Sequence, residues 1–351
     1  MLNTDKETNQ STDSPKIMKS SIATTLLALA LTGASQAQTA VYTAPVGYTT
    51  QALSKGANLA GLTLHNPTLS SGTFSAVAGT SLTAPNLSLS PATGRTYILE
   101  ITSGTLAGVI QEIPAASISG TTITTSQNLA SLGLAVGNSY KLRLAPTLEE
   151  VFTTTPLNNG GVLHAALNAT SADVVSIPNG AGGYDRYYLR SGATPAFRNV
   201  ATNLASPNVP VIYVDGLTID KKTTTAAALS VTGEVKTTGS NTVVVKGINP
   251  VGIVAPSGLN LFNAGLEDDL FAALNATSAD IVWVQQPNLT YRKFFRRSGT
   301  SGAWRDVANA TVNLTQAQAE AVTLSSAIII ERKGTSAVNL DLNVPSAYSN
   351  L

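Results

Sequence analysis

The stretch richest in chemistry is Tyr291-Arg292-Lys293-Phe294-Phe295-Arg296-Arg297, where cations and aromatic rings interleave. As a β-strand it places Tyr291, Lys293, Phe295 and Arg297 on one face and Arg292, Phe294 and Arg296 on the other. An upstream stretch offers Tyr184, Arg186, Tyr188 and Arg190 in the same alternation. Such a ladder can grip an anionic glycan or single-stranded nucleic acid through charge and stacking. The plainer reading carries more weight: a hairpin strand whose rings cover the core edge while its cations reach past them to water.

Catalytic sets are harder to assemble. The chain holds only two histidines, His65 and His164, and neither has a partner nearby in sequence. A serine triad needs such a base, and no Gly-x-Ser-x-Gly elbow occurs. Glu149, Glu150, Glu267, Asp268 and Asp269 are the carboxylates that could serve glycoside hydrolysis. Acids opening short helices explain them more simply, because the helix dipole favours negative charge there. A concave carboxylate pair between two halves of the chain would strengthen the hydrolytic reading. No cysteine and no Asp-x-Asp-x-Asp-Gly loop is present; Asp215-Gly216 with Asp220 reads as a turn rather than a calcium site. Gly180-Ala181-Gly182-Gly183 is a loop without the helix that phosphate cradling needs. The expectation is no enzyme, no cofactor and no metal.

What positions these residues is an internal repeat. Ala165-Ala166-Leu167-Asn168-Ala169-Thr170-Ser171-Ala172-Asp173 recurs unchanged from Ala272 to Asp280, 107 residues later. The same offset pairs Tyr184 with Tyr291, Arg190-Ser191-Gly192 with Arg297-Ser298-Gly299, and Phe197-Arg198 with Trp304-Arg305. Further on the register drifts: residues 211–214 would match 328–331, and 228–231 would match 337–340. Pro45-Val46-Gly47-Tyr48 echoes Pro250-Val251-Gly252-Ile253. Two copies result, a first β unit over 38–236 and a shorter second one over 237–351, the first carrying an inserted β subdomain at about 68–146.

The insert holds runs dense in strand formers, at 96–102, 108–113, 121–124 and 139–144, separated by Gly, Asn and Ser turns. Helices are few. Thr147-x-x-Glu150 is a capping box, Asn263 is placed to cap a helix through Leu266, Leu270, Phe271 and Leu274, and residues 314–322 suit a third. The fold expected is all-β, mainly antiparallel sandwich or barrel-like units with a few short helices and an internal duplication.

Composition narrows the setting. Met18-Lys19, the apolar run 22–31 and Thr32-Gly33-Ala34-Ser35-Gln36-Ala37 match a secretory signal, with Met18 the expected start and cleavage before Gln38. That assigns residues 1–37 to an N-terminal extension and signal peptide. The run is too short to span a membrane, and no transmembrane segment is expected. A net charge of +1 with 12% charged residues gives no strong field for nucleic acid, and export makes acidic polysaccharide the better ligand for the Tyr/Arg strands.

Pro45-Val46-Gly47-Tyr48, Tyr97-Ile98-Leu99-Glu100-Ile101-Thr102-Ser103-Gly104, Pro146-Thr147-Leu148-Glu149-Glu150-Val151-Phe152 and Leu229-Ser230-Val231-Thr232-Gly233-Glu234-Val235 together resemble an uncharacterised family of exported, β-rich bacterial proteins of verrucomicrobial type. The resemblance covers most of residues 40–236 and implies export and β architecture. No activity is established for that family, so no residue roles are carried over.

The leading expectation is a non-catalytic exported protein (periplasmic, cell-surface or extracellular) with structural, assembly or adhesive work. Its partners would be copies of itself or cell-surface polysaccharide. The rivals are a glycan-binding module for acidic polysaccharide, using Tyr184, Arg186, Tyr188, Arg190, Tyr291, Lys293, Phe295 and Arg297, and a carbohydrate-active enzyme.

Overall fold

Strands form where β-branched and aromatic residues concentrate, because those side chains pack well on a pleated surface. The computed structural model describes residues 44–180, 182–299 and 303–350; the expected signal segment lies outside the described residues. Over that span the protein is all-β and sandwich-like, with three α-helices of four or five residues among the described residues. No helix there is long and apolar enough to cross a membrane.

The chain opens with β1 (Val46–Leu53) and β2 (Gly56–Ala60). The inserted region follows: β3 (Thr68–Thr73), β4 (Ala76–Ala78), β5 (Ser81–Thr83), β6 (Thr96–Ile101), β7 (Ile110–Pro114), β8 (Ile118–Ser119), β9 (Thr122–Thr124) and β10 (Ser139–Leu144). Helix α1 (Leu148–Phe152) leads to β11 (Val174–Pro178), β12 (Tyr184–Arg190), β13 (Ala196–Asn199), β14 (Leu217–Lys221) and β15 (Ala227–Glu234). The rest of the chain holds β16 (Ser240–Val244), β17 (Gly247–Gly252), α2 (Leu266–Asp269), β18 (Ile281–Gln285), β19 (Tyr291–Arg296), β20 (Trp304–Asp306), α3 (Gln316–Glu320), β21 (Ala327–Arg332) and β22 (Val338–Leu342).

Sheet order exposes two equivalent units. One five-stranded sheet runs β13-β12-β11-β14-β2 and the other runs β20-β19-β18-β21-β17. Each unit adds a two-stranded ribbon, β1 with β15 and β16 with β22. All these pairings are antiparallel. The insert forms its own pair of sheets, β3-β10-β6-β7 and β4-β5-β9-β8. They close on a separate core of Phe74, Leu82, Leu99, Ile123 and Leu142.

Pairing registers correct three sequence alignments. Val174 faces Asp220 as Ile281 faces Glu331, so β14 is the counterpart of β21 and the offset there is 111. Residues 211–214 are a buried turn and not the counterpart of 328–331. The β15 and β22 segments sit two residues away from the 228–231 and 337–340 match, with Leu229 and Leu340 equivalent core residues. Pro45-Val46-Gly47-Tyr48 leads into β1, whose partner in the duplication is β16, whereas Pro250-Val251-Gly252 closes β17, the counterpart of β2. The expected helix from Asn263 is also shorter: α2 is one turn, entered through Gly265 at φ 83, with no side-chain cap. The Thr147 capping box at α1 forms as expected, and Thr315 builds a second at α3.

Two polar devices occur once per copy. Asn58 Oδ1 accepts from the Ser54 amide at 2.9 Å, and its Nδ2 donates to the carbonyls of Ser54, Gly56 and Ile219 at 2.7, 2.9 and 3.3 Å. Asn249 repeats this with Val245, Gly247 and Ile330, its amide contact being 2.9 Å and its carbonyl contacts 2.7, 3.0 and 3.2 Å. The bend at both sites needs φ 109 at the preceding glycine, Gly56 or Gly247, a conformation costly for any residue with a Cβ. The second device is a buried aspartate. Asp173 accepts from the amides of His164 and Lys222 at 2.8 and 2.7 Å, and Asp280 accepts from those of Phe271 and Lys333 at 2.9 and 2.7 Å. Lys221 lies 3.7 Å from the first, while Arg332 hydrogen-bonds the second.

Candidate functional site

The eight residues singled out in sequence do not form one open face. Tyr188 is buried against Ala172 and Val174, its hydroxyl donating to Asn203 Oδ1 at 2.5 Å. Phe295 is buried against Ala273 and Ala279. These are equivalent positions, so the repeated Ala-Ala-Leu-Asn segments cover the rings in both copies. Lys293 lies 3.6 Å from the centroid of the Trp283 ring. Arg190 and Arg297 are partly buried, with an unbonded Nε each. Only Arg186 and Tyr184 stand exposed, and Tyr184 belongs to a different feature.

That feature arises where the two copies meet. The β18–β19 hairpin of the second copy reaches the edge strand β2 of the first. Gln285 clamps it there, accepting from the Leu59 amide at 2.8 Å and donating to the Ala57 carbonyl at 2.9 Å. Leu59, Ala327 and Ile329, with Trp283 and Tyr291, fill the contact. The duplication calls for a matching junction between the β11–β12 hairpin and β17. There Pro178 stands where Gln285 stands, and Pro250 where Leu59 stands. The first substitution removes the clamping amide and the second removes the N–H it would hold. Proline is tolerated at residue 250 because β17 is an edge strand. Between the hairpin and β17 one side-chain hydrogen bond survives, from the Tyr184 hydroxyl to the Ile248 carbonyl at 3.1 Å. The turn before β14 still holds β17, the Gly216 amide donating to the Pro250 carbonyl at 3.2 Å and the Gly252 amide to the Val214 carbonyl at 2.8 Å.

The open junction is a cavity of about 380 Å³, lined among others by Glu112, Pro178, Tyr184, Tyr187, Asp215 and Pro250. Sites for small ligands commonly start at roughly 300 Å³. Strand β7 of the insert delivers Glu112; the turn before β14 delivers Asp215, where the second copy has Ser326. Ser326 is engaged in the sealed junction, hydrogen-bonding Gln51 at 2.5 Å and the Gly61 amide at 3.2 Å. The Asp215 carboxyl, in contrast, makes no hydrogen bond within the described residues. Desolvation, reinforced by repulsion from Glu112, raises its pKa to about 7. Desolvation also raises Glu112, Tyr184 and Tyr187, the last with help from Asp185. Three carboxyl groups line the cavity (Glu112, Asp185 and Asp215), and no lysine or arginine does so among the described residues.

Several of the remaining candidates serve structure. Glu150 caps α1 and pairs with Arg95 at 2.8 Å, while Asp269 accepts from the Asp341 amide at 2.7 Å. Asp220 pairs with Lys222 instead of joining Asp215. His65 is buried beside Tyr213, ring centroids 5.4 Å apart, and neither of its nitrogens has a hydrogen bond. Desolvation, then repulsion from Arg143, lowers its pKa to about 3, so it stays uncharged and enclosed. Beside it Glu100 gathers Arg143 at 2.8 Å, Thr238 at 2.8 Å and Lys236, fastening the insert to the segment after β15. No group of three His, Asp or Glu side chains placed to hold a metal occurs among the described residues.

Sequence reasoning considered Asp215 only as half of a calcium turn and passed over Glu112. A signal was present. Lys55-Gly56-Ala57-Asn58 recurs as Lys246-Gly247-Ile248-Asn249, 191 residues on, and this alignment sets Pro250 against Leu59. Comparison with family models, with curated proteins and with solved structures returns no match.

Proposed function

We propose that this is a non-catalytic exported protein of the cell surface or extracellular space, with structural or adhesive work, and that it contacts carbohydrate through the cleft between its two copies. The observation that carries the reading is the unequal pair of junctions: one sealed by Gln285 and Leu59, the other left open by Pro178 and Pro250 over two tyrosines and the Asp215 carboxyl. A concave site with aromatic residues and a few convergent polar groups is a usual form of a small-molecule pocket, and aromatic rings beside polar groups suit a sugar. Export rests on the residue 18–37 signal pattern and on the resemblance to exported β-rich proteins. His65 is enclosed in the core, out of reach of a substrate, which fits a non-catalytic role.

The test is direct. Purified protein is screened against a glycan panel, and cells are fractionated with N-terminal sequencing of the product. Binding that disappears in Tyr184→Ala, together with an exported chain beginning at Gln38, is the expected result. Retention in the cytoplasm, or no carbohydrate binding at all, overturns the proposal. The second reading, a carbohydrate-active enzyme, is favoured by one observation: an Asp215 carboxyl with a pKa near 7 can hold a proton for a leaving group. Turnover of any glycan, lost in Asp215→Asn, would put that reading first.

A further inference from the structure

The cleft's charge narrows the ligand. Glu112, Asp185 and Asp215 line it, and no cation among the described residues offsets them. An acidic polysaccharide entering there would bring like charge against like in a partly desolvated space, which costs more than the same encounter in water. Asp215 is the informative group. Its carboxyl lines the cavity, is only partly buried and makes no hydrogen bond to the described residues, so it is open to a ligand. Its counterpart Ser326 is fully engaged in closing the other junction, so the carboxyl is not needed to join the copies. Tyr184, the more exposed of the two lining tyrosines, supplies an aromatic ring alongside, and such a ring attracts a cation further. The space, about 380 Å³, suits a ring-sized body.

Resting on the carbohydrate reading above, we infer that the cleft selects an amino sugar, its protonated primary amine meeting the Asp215 carboxylate and its ring lying against Tyr184. The acetylated form lacks the charge and is discriminated against, and a uronic acid is repelled. Because Asp215 is largely protonated below neutral pH, binding a charged amine ionises it, and the complex releases that proton to the buffer. The titratable groups facing Asp215 are Glu112, Asp185, Tyr184 and Tyr187. None of them is a cation that could take the proton.

The experiment is isothermal titration calorimetry of the full-length mature protein at pH 6.0 with three probes: a glucosamine tetramer, an N-acetylglucosamine tetramer and a galacturonate tetramer. Each titration is run in two buffers of different ionisation enthalpy. The expected result is binding of the glucosamine tetramer at least tenfold tighter than the acetylated one, no binding of galacturonate, and release of close to one proton per site. Asp215→Asn keeps the side chain's size and should lose both the tenfold preference and the proton release. Equal affinity for the free and acetylated tetramers overturns the amine assignment while leaving the carbohydrate reading in place. Failure of all three probes, with the melting temperature of Asp215→Asn matching the parent protein, overturns both. Proton release that persists in Asp215→Asn refutes the role given to this carboxyl.

Discussion

His65 makes the protein's stability depend on pH in a way that can be calculated. Its ring is 3% exposed and packs at 5.4 Å from Tyr213, and desolvation with repulsion from Arg143 and Lys236 outweighs the attraction of Glu100 in opposing a proton there. Folding lowers its pKa from 6.5 to about 3. The unfolded chain therefore binds a proton that the folded chain refuses, over the window between those two values. Stability is intact above pH 6.5 and falls as pH drops toward 3. At about 1.4 kcal/mol per pKa unit the full effect is about 5 kcal/mol, of which about 3 kcal/mol is spent between pH 7 and pH 4. That is a large part of the 5–15 kcal/mol by which domains are typically stable, roughly speaking.

The perturbation is His65→Phe, which keeps a ring against Tyr213 and removes both the titration and the two unbonded nitrogens. Near-isosteric core exchange of this kind typically costs less than about 1.5 kcal/mol. Guanidinium denaturation followed by tryptophan fluorescence, at pH 7 and at pH 4, compares the two proteins. The parent should lose about 3 kcal/mol more than the variant over that interval. Glu100 does not confuse the comparison. Burial alone would raise its pKa, but Lys236 and Arg143 overcome this and hold it at about 2, so most of its contribution is lost below pH 4 and equally in both proteins. Equal losses in parent and variant would refute the reasoning.

Other outcomes follow from the duplicated devices and the unequal junctions. Asn58→Ala and Asn249→Ala each remove four hydrogen bonds of nearly identical geometry, and each should cost about 2–4 kcal/mol in chemical denaturation, the two values agreeing within about 1 kcal/mol. Asp173→Asn leaves the wholly buried Lys221 without its carboxylate and should cost about 3–5 kcal/mol, read as a fall in melting temperature. Pro178→Gln combined with Pro250→Leu copies the sealed junction into the open one; it should raise the melting temperature and abolish glycan binding, and a variant that still binds would place the ligand elsewhere.

Much of this protein was legible along the chain. The nine-residue repeat, the capping box at Thr147 and the strand-dense runs of the insert are local patterns, each set by side chains a few residues apart. They were sufficient for an all-β chain with two related units. Registers were not legible, because strand pairing depends on contacts far apart in sequence, such as Tyr48 with Ser230, 182 residues on. The basic-aromatic ladder failed as an open face for the same reason: alternation says which side chains share a face, but the coverage of Tyr188 and Phe295 comes from the Ala-rich segments folding over them. The cleft needed tertiary structure most. Pro178, Glu112, Asp215 and Pro250 are ordinary residues in sequence, scattered over 139 positions (112 to 250, counted inclusively), and only the crossing of one copy's hairpin over the other's edge strand brings them around one cavity. A carboxyl acquires an unusual proton affinity from what excludes water around it, and that environment exists only once the chain has folded.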